Sequence, residues 1–223
     1  MNFIRACENG DFKKVKKIFS NAISKKGNFD IHYDDEDAFL FACENGHFEI
    51  AKWLIDISIT NQQLGVVNIH INNDEIFSRL CSNGYFEIAK WLLNISITES
   101  KLGIIDVHAD NESAFCYACH NGHLEIAKWL LNISIEKEEL GKIDIHVRDE
   151  DAFRYACRFG HFKVVKWLLD ISIQNEEILP INIHINNEEA LCLLCEYKYY
   201  DMAKWLIEIS IQNKEILQII DIH

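Results

Sequence analysis

Two places in the 223-residue sequence hold side chains suited to chemistry. Cys116-Tyr117-Ala118-Cys119-His120 matches the attachment pattern of c-type haem. With His123 it offers four soft ligands within eight residues, a set zinc would accept. Cys192 and Cys195 form a Cys-x-x-Cys pair, the spacing of a redox dithiol. A thiol or zinc enzyme centred on Cys116, Cys119 and His120 is therefore one reading of the chain. A plainer reading explains more. Cys43, Cys81, Cys119, Cys157 and Cys195 stand 38 residues apart, and so do Trp53, Trp91, Trp129, Trp167 and Trp205. Cys119 and His123 are members of a repeat. Only Cys116 and His120 are new, at positions held elsewhere by Leu40, Arg154, Glu44 or Arg158.

A second column, His32, His70, His108, His146, His184 and His223, invites a metal ladder. Packed helices lie ~8–10 Å apart, whereas zinc–nitrogen bonds are ~2 Å, so one ion cannot join two rungs. A repeated hydrogen bond closing each finger is expected instead. The cysteine column fails as a disulfide ladder for the same reason, since bridged Cα atoms lie within ~7 Å. No Ser-His-Asp set, phosphate loop or metalloprotease helix motif is present. No catalytic residue, metal or cofactor is assigned.

The elements that position these columns recur with the same period. Each unit reads as helix, tight turn, helix and linker. The first helix follows an acidic or amide cluster such as Asn73-Asp74-Glu75 or Asp149-Glu150-Asp151, which suits the capping of a helix N-terminus. Phe39, Ala42 and Cys43 define its apolar stripe at i, i+3, i+4 spacing. Gly46, Gly84, Gly122 and Gly160 mark the turn, where a left-handed residue ends the helix. The second helix runs from Phe48 to about Ile57, and each Trp is expected to pack on its own linker, as on Ile57 and Ile59. Unit six replaces Asn-Gly-His with Tyr197-Lys198-Tyr199, and the loss of Gly should relax or distort that turn.

Ala-Cys-x-Asn-Gly-His-x-Glu-Ile-Ala-Lys-Trp-Leu-Leu resembles the helix–turn–helix core of the ankyrin repeat, in the 38-residue style of the giant-DNA-virus ankyrin families. Asp144-Ile145-His146 resembles the opening of the ankyrin β-hairpin finger. The resemblance implies an all-α solenoid of six helix–turn–helix units with short finger or linker segments. The units are 1–31 (an N-terminal cap), 32–69, 70–107, 108–145, 146–183 and 184–223 (a degenerate C-terminal repeat). Against a 33-residue ankyrin period, the segment after helix two is longer here, so an extra helical turn is expected there.

For the family, the resemblance implies protein binding without catalysis. Its first helices and fingers line the concave side, so binding candidates are sought among first-helix residues that vary between copies. Arg79, Tyr117 and Tyr155 are the expected anchors. Asp110, Glu112, Asp149 and Glu150 belong to an acidic ridge beside them, which suits a basic partner. A viral adaptor bringing a target to a ubiquitin ligase is an alternative, and no residues follow unit six to form a ligase-binding segment.

Net charge is −13. Residues 1–31 carry seven Lys/Arg against three Asp/Glu, so +4, and the rest carries −17. That balance argues against nucleic acid or an anionic membrane as partner. No signal peptide and no run of eighteen apolar residues is visible. A monomer in the cytoplasm (the host's, for a viral protein) or the nucleus is expected, with its eight cysteines reduced.

Overall fold

The computed structural model describes residues 2–24, 29–175 and 178–217. Among them every regular element is a helix. They form two compact units, 1–109 and 110–223. The first holds α1 (Asn2–Glu8) with α2 (Phe12–Ser24), α3 (Tyr33–Glu44) with α4 (Phe48–Thr60), and α5 (Glu75–Ser82) with α6 (Phe86–Thr98). The second holds α7 (Ala109–His120) with α8 (Leu124–Glu136), α9 (Val147–Arg158) with α10 (Phe162–Gln174), and α11 (Ile185–Glu196) with α12 (Tyr200–Gln212). A short α13 (Lys214–Leu217) follows. Phe39, Phe77, Phe115 and Phe153 are fully buried at equivalent places on the first helices, beside small Ala and Cys that let neighbouring helices approach.

The turn inside each pair forms as its glycine predicts. Gly46 has φ 72°, its N–H donates to Cys43 O (3.0 Å), and the His47 N–H donates to Ala42 O (2.7 Å). Unit six departs from the expectation. Lys198 keeps the left-handed conformation at φ 64°, and the Tyr199 N–H still reaches Leu194 O at 2.8 Å. The turn is neither relaxed nor distorted, because the two hydrogen bonds hold a lysine where glycine would sit more easily.

The acidic and amide clusters do something other than cap helices. Asp34, Asp35 and Glu36 are all left-handed (φ 57°, 53° and 67°), and so are Asp110, Asn111, Glu112 and Arg148, Asp149, Glu150. Each unit after the first thus enters its first helix through one left-handed turn. Such residues cost ~1–2 kcal/mol each, least for Asp and Asn, which accounts for the amide-rich composition. No side-chain cap bond forms at His32, Asp74, His146 or His184. The β-hairpin finger is absent too, since no strand occurs among the described residues.

The third residue of each left-handed turn offsets that cost. Glu36 is buried. His32 Nδ1 approaches its Oε1 at 2.6 Å, and the Asn68 N–H, at the other end of the same unit, donates to the same oxygen at 2.9 Å. His32 Nε2 meets Leu64 O at 2.6 Å. The latch recurs at His70–Asp74, where the Asp106 N–H donates to Asp74 (2.8 Å) and His70 Nε2 meets Leu102 O (2.8 Å). In the second unit His146 and the Asn182 N–H share Glu150, and His184 bridges Glu188 and Leu217 O. The expected hydrogen bond is made at His32, His70, His146 and His184, but with no hairpin finger to close it joins the start of the unit to its own end. His223 lies outside the described residues.

Second helices run 13 residues, one turn past the predicted end near Ile57. The added turn carries buried Ser58, Ser96, Ser134, Ser172 and Ser210. Ser96 Oγ donates to Leu93 O and accepts the Ile105 N–H, and Ser134 repeats this with Leu131 and Ile143. In these two repeats the serine thus anchors the longer linker. The tryptophans are half-buried, and Trp53, Trp91, Trp167 and Trp205 meet aromatic rings of the preceding repeat. Trp53 packs edge-on against Phe12 and Phe19, Trp91 against Phe48, and Trp205 against Phe162.

The latch makes stability pH-dependent. Both His32 ring nitrogens face acceptors, so the ring that donates two bonds is the doubly protonated one. Burial opposes that charge, but the Glu36 bond and the Leu64 carbonyl outweigh it and raise the His32 pKa. The Glu150 bond raises His146 against burial in the same way. A raised folded pKa gives stability that is complete below the ordinary histidine value of ~6.5 and is lost as pH rises through the folded value. His161 is shifted down, mainly by burial, so its contribution falls below ~6.5 and leaves the window above it clear. Urea midpoints should therefore drop as pH rises above about 6.5. A His32→Gln/His146→Gln variant should flatten that slope, and an unchanged slope would contradict the charged latch.

Candidate protein-binding face

The first helices of the second unit carry a row of aromatic rings that the repeat does not require. Tyr117 sits near the end of α7, and His120 is its last residue. Tyr155 and Arg158 occupy the equivalent places on α9, Phe159 follows at the turn, and Tyr197 follows α11. His120 stacks on Tyr155 with centroids 4.5 Å apart and 26° between planes, while Tyr117 meets His120 edge-on at 5.6 Å. Tyr155 and Phe159 lie 6.2 Å apart. The Arg158 guanidinium is 5.7 Å from the Tyr155 ring, 5.8 Å from Phe159 and 5.6 Å from Tyr197, within cation–π range. Despite this mutual packing, Tyr117, Phe159 and Tyr197 remain 40%, 48% and 39% exposed.

Three comparisons bear on this arrangement. The family profile described as Ankyrin repeats (3 copies) matches residues 3–101, 40–149 and 77–177. The chain belongs to the ankyrin-repeat family. No curated protein matches its sequence. Among solved structures, a chain from the complex of the predatory endopeptidase Bd0816 of Bdellovibrio bacteriovorus with immunity protein Bd3460 shares its fold. The TM-score is 0.58 at 20% identity, over 93% of this chain and 97% of that one.

Within this ankyrin-repeat scaffold the predicted partner-binding residues divide. Tyr117 and Tyr155 lie together in the aromatic row. Arg79, in the first unit, is held by two carboxylates: its Nε donates to Glu75 at 2.9 Å, and a second arm pairs with Glu44 of the preceding repeat. Asp110 and Asp149 are exposed. Glu112 and Glu150 are not part of an open ridge. They are only 6% and 5% exposed, turned inward to the Asp144 and Asn182 amides. Asp151, also buried, pairs with Arg148 and Arg154, and His120 Nε2 lies 3.3 Å from it. Most of the acidic clusters' inner carboxylates are consumed by the fold, which removes much of the charge expected to attract a basic partner.

The cysteines behave as core residues. Cys116 and Cys119 are fully buried. Burial, with Asp151 adding to it, pushes the Cys116 thiol up to about 12, and burial lifts Cys119 well above its ordinary value. Neither is a ready thiolate near neutral pH. His120 faces Asp151 and the two tyrosines rather than the thiols. No group of three or more His, Cys, Asp or Glu positioned to hold a metal occurs among the described residues. Cys192 and Cys195 are exposed as free thiols.

Phe159, Arg158 and Tyr197 were not singled out by the sequence reading. A signal was there: Phe159 and Tyr197 stand where Asn45, Asn83 and Asn121 stand in other copies. A large aromatic that replaces a turn asparagine and stays exposed is not explained by the turn.

Proposed function

We propose that this ankyrin-repeat protein is a non-catalytic protein-interaction scaffold whose partner docks on the first-helix face of residues 110–223. The carrying observation is the row of exposed Tyr117, Phe159 and Tyr197 with half-buried Tyr155, the last three gathered around Arg158. Tyr and Arg dominate interface hot spots, and an exposed apolar cluster on a folded protein marks a contact surface. The protein whose fold it shares was solved in a complex between two proteins, and the same use of the fold is proposed here. The 38-residue period carries the resemblance to giant-virus families, for which a host protein is the partner to seek, and a reducing cytoplasm suits the free thiols.

The test is affinity capture from the relevant cell, followed by measurement of the purified partner against a Tyr117→Ala/Phe159→Ala variant. Each hot-spot truncation costs ~2 kcal/mol or more, so the pair should weaken binding by at least ~100-fold with little change in melting temperature. Undiminished binding by the folded variant would overturn this assignment.

A further inference from the structure

The same face holds a cation with no direct carboxylate partner, on which Glu189 and Glu196 act only through space. Arg148 and Arg154 both pair with Asp151, and Arg154 also reaches Glu189. Arg158 makes no ion pair among the described residues. It bonds the Tyr197 side chain, and its buried Nε has no partner. Glu44, Ser82, His120 and Glu196 fill this position in other copies, so the repeat does not dictate an arginine. Tyr155, Phe159 and Tyr197 cover the flanks of the guanidinium. Such packing restrains the guanidinium among the rings while leaving it accessible, with N–H donors for a planar, two-oxygen acceptor.

We propose that Arg158 is the polar anchor of the docking face and binds a side-chain carboxylate of an acidic peptide segment, with a neighbouring apolar side chain of that segment lying on Phe159 and Tyr117. This rests on the scaffold reading and names the partner's chemistry. A carboxylate is favoured over a phosphate by charge. One guanidinium matches one negative charge, and the two nearby arginines are already neutralised. The net charge of −13 adds a kinetic signature. An acidic segment is repelled at long range, so salt should speed its association by screening while loosening the final pair. A basic partner would show slower association with salt.

The experiment uses fluorescein-labelled dodecapeptide pools with a fixed central Trp-Glu, Trp-Gln, Trp-phosphoserine or Trp-Lys, titrated into the full chain by anisotropy. The Trp-Glu pool should bind at least five-fold tighter than Trp-Gln, and Arg158→Lys, which keeps the charge but loses the fork, should erase the difference. The Arg158 Nε–H resonance of the unmodified protein should shift with Trp-Glu and not with Trp-Gln, a readout independent of any variant's folding. Equal binding of Trp-Glu and Trp-Gln overturns the anchor, as does preference for phosphoserine or lysine. If binding ignores Arg158→Lys but is lost in Tyr117→Ala/Phe159→Ala, the anchor fails while the scaffold face stands. If no pool binds and a captured partner also ignores Tyr117 and Phe159, both fail.

Discussion

Replacing Glu150 by alanine is expected to destabilise the second unit by about 3–5 kcal/mol, the usual cost of removing one member of a buried ionic pair. Glu150 holds His146 Nδ1 between its two oxygens at 2.9 and 3.1 Å and accepts the Asn182 N–H at 3.0 Å. Without it a half-buried histidine and a backbone amide lose their acceptor, while the left-handed turn still bears its strain. Glu150→Gln keeps one oxygen for the amide and should cost less, ~1.5–3 kcal/mol. The neighbour Asp149 has the same left-handed backbone but is exposed, so Asp149→Ala should change stability by less than ~1 kcal/mol. Urea unfolding followed by tryptophan fluorescence compares the three. Equal losses at positions 149 and 150 would show that the latch contributes nothing beyond its turn. A Glu150 variant that melts normally but loses its partner would restore the open acidic ridge.

Gly122→Val is expected to cost about 3 kcal/mol or more, from two sources. The turn holds Gly122 at φ 75°, which a β-branched residue resists by ~1–3 kcal/mol. The second source is invisible in the repeat unit itself: an added Cβ would lie 2.5 Å from the His161 ring of the next repeat. That ring also bonds the His120 carbonyl, so moving it sacrifices a contact between repeats. Gly122→Ala should cost less but remain clearly destabilising. Lys198→Val should cost much less than Gly122→Val, because Lys198 already occupies the left-handed conformation at φ 64°. Lys198→Gly should even gain ~0.5–1 kcal/mol, strain relief of ~1–2 kcal/mol outweighing the greater freedom of the unfolded chain. Amide exchange of the turn residues resolves these effects repeat by repeat. Equal losses for valine at 122 and 198 would contradict the turn assignment.

The fold was legible because a stacked repeat states its own register. The 38-residue spacing of Cys, Trp and His, the apolar stripe of Phe39, Ala42 and Cys43, and the Gly turns are local patterns, and local hydrogen bonding satisfies them within each helix pair. The identical column of Ile-Ser-Ile was equally visible and was passed over. A buried serine that bonds its own helix and the following linker looks, in sequence, like any polar residue near a helix end.

The contacts that give the columns their meaning were decided in three dimensions. Glu36 and Asp35 are adjacent acids, yet one is buried against an amide 32 residues away and the other faces water. Only the left-handed turn between them, which no side-chain pattern announces, separates those fates. The partner face followed the same rule. Tyr117 and Tyr155 stood out as copy-to-copy variants, but Phe159, Arg158 and Tyr197 join them through ring contacts across repeats. Composition and spacing determined the architecture because helix pairing depends on residues three or four apart. Which carboxylates turn inward and which rings surround Arg158 depended on neighbours more than thirty residues away, and so only the tertiary structure decided them.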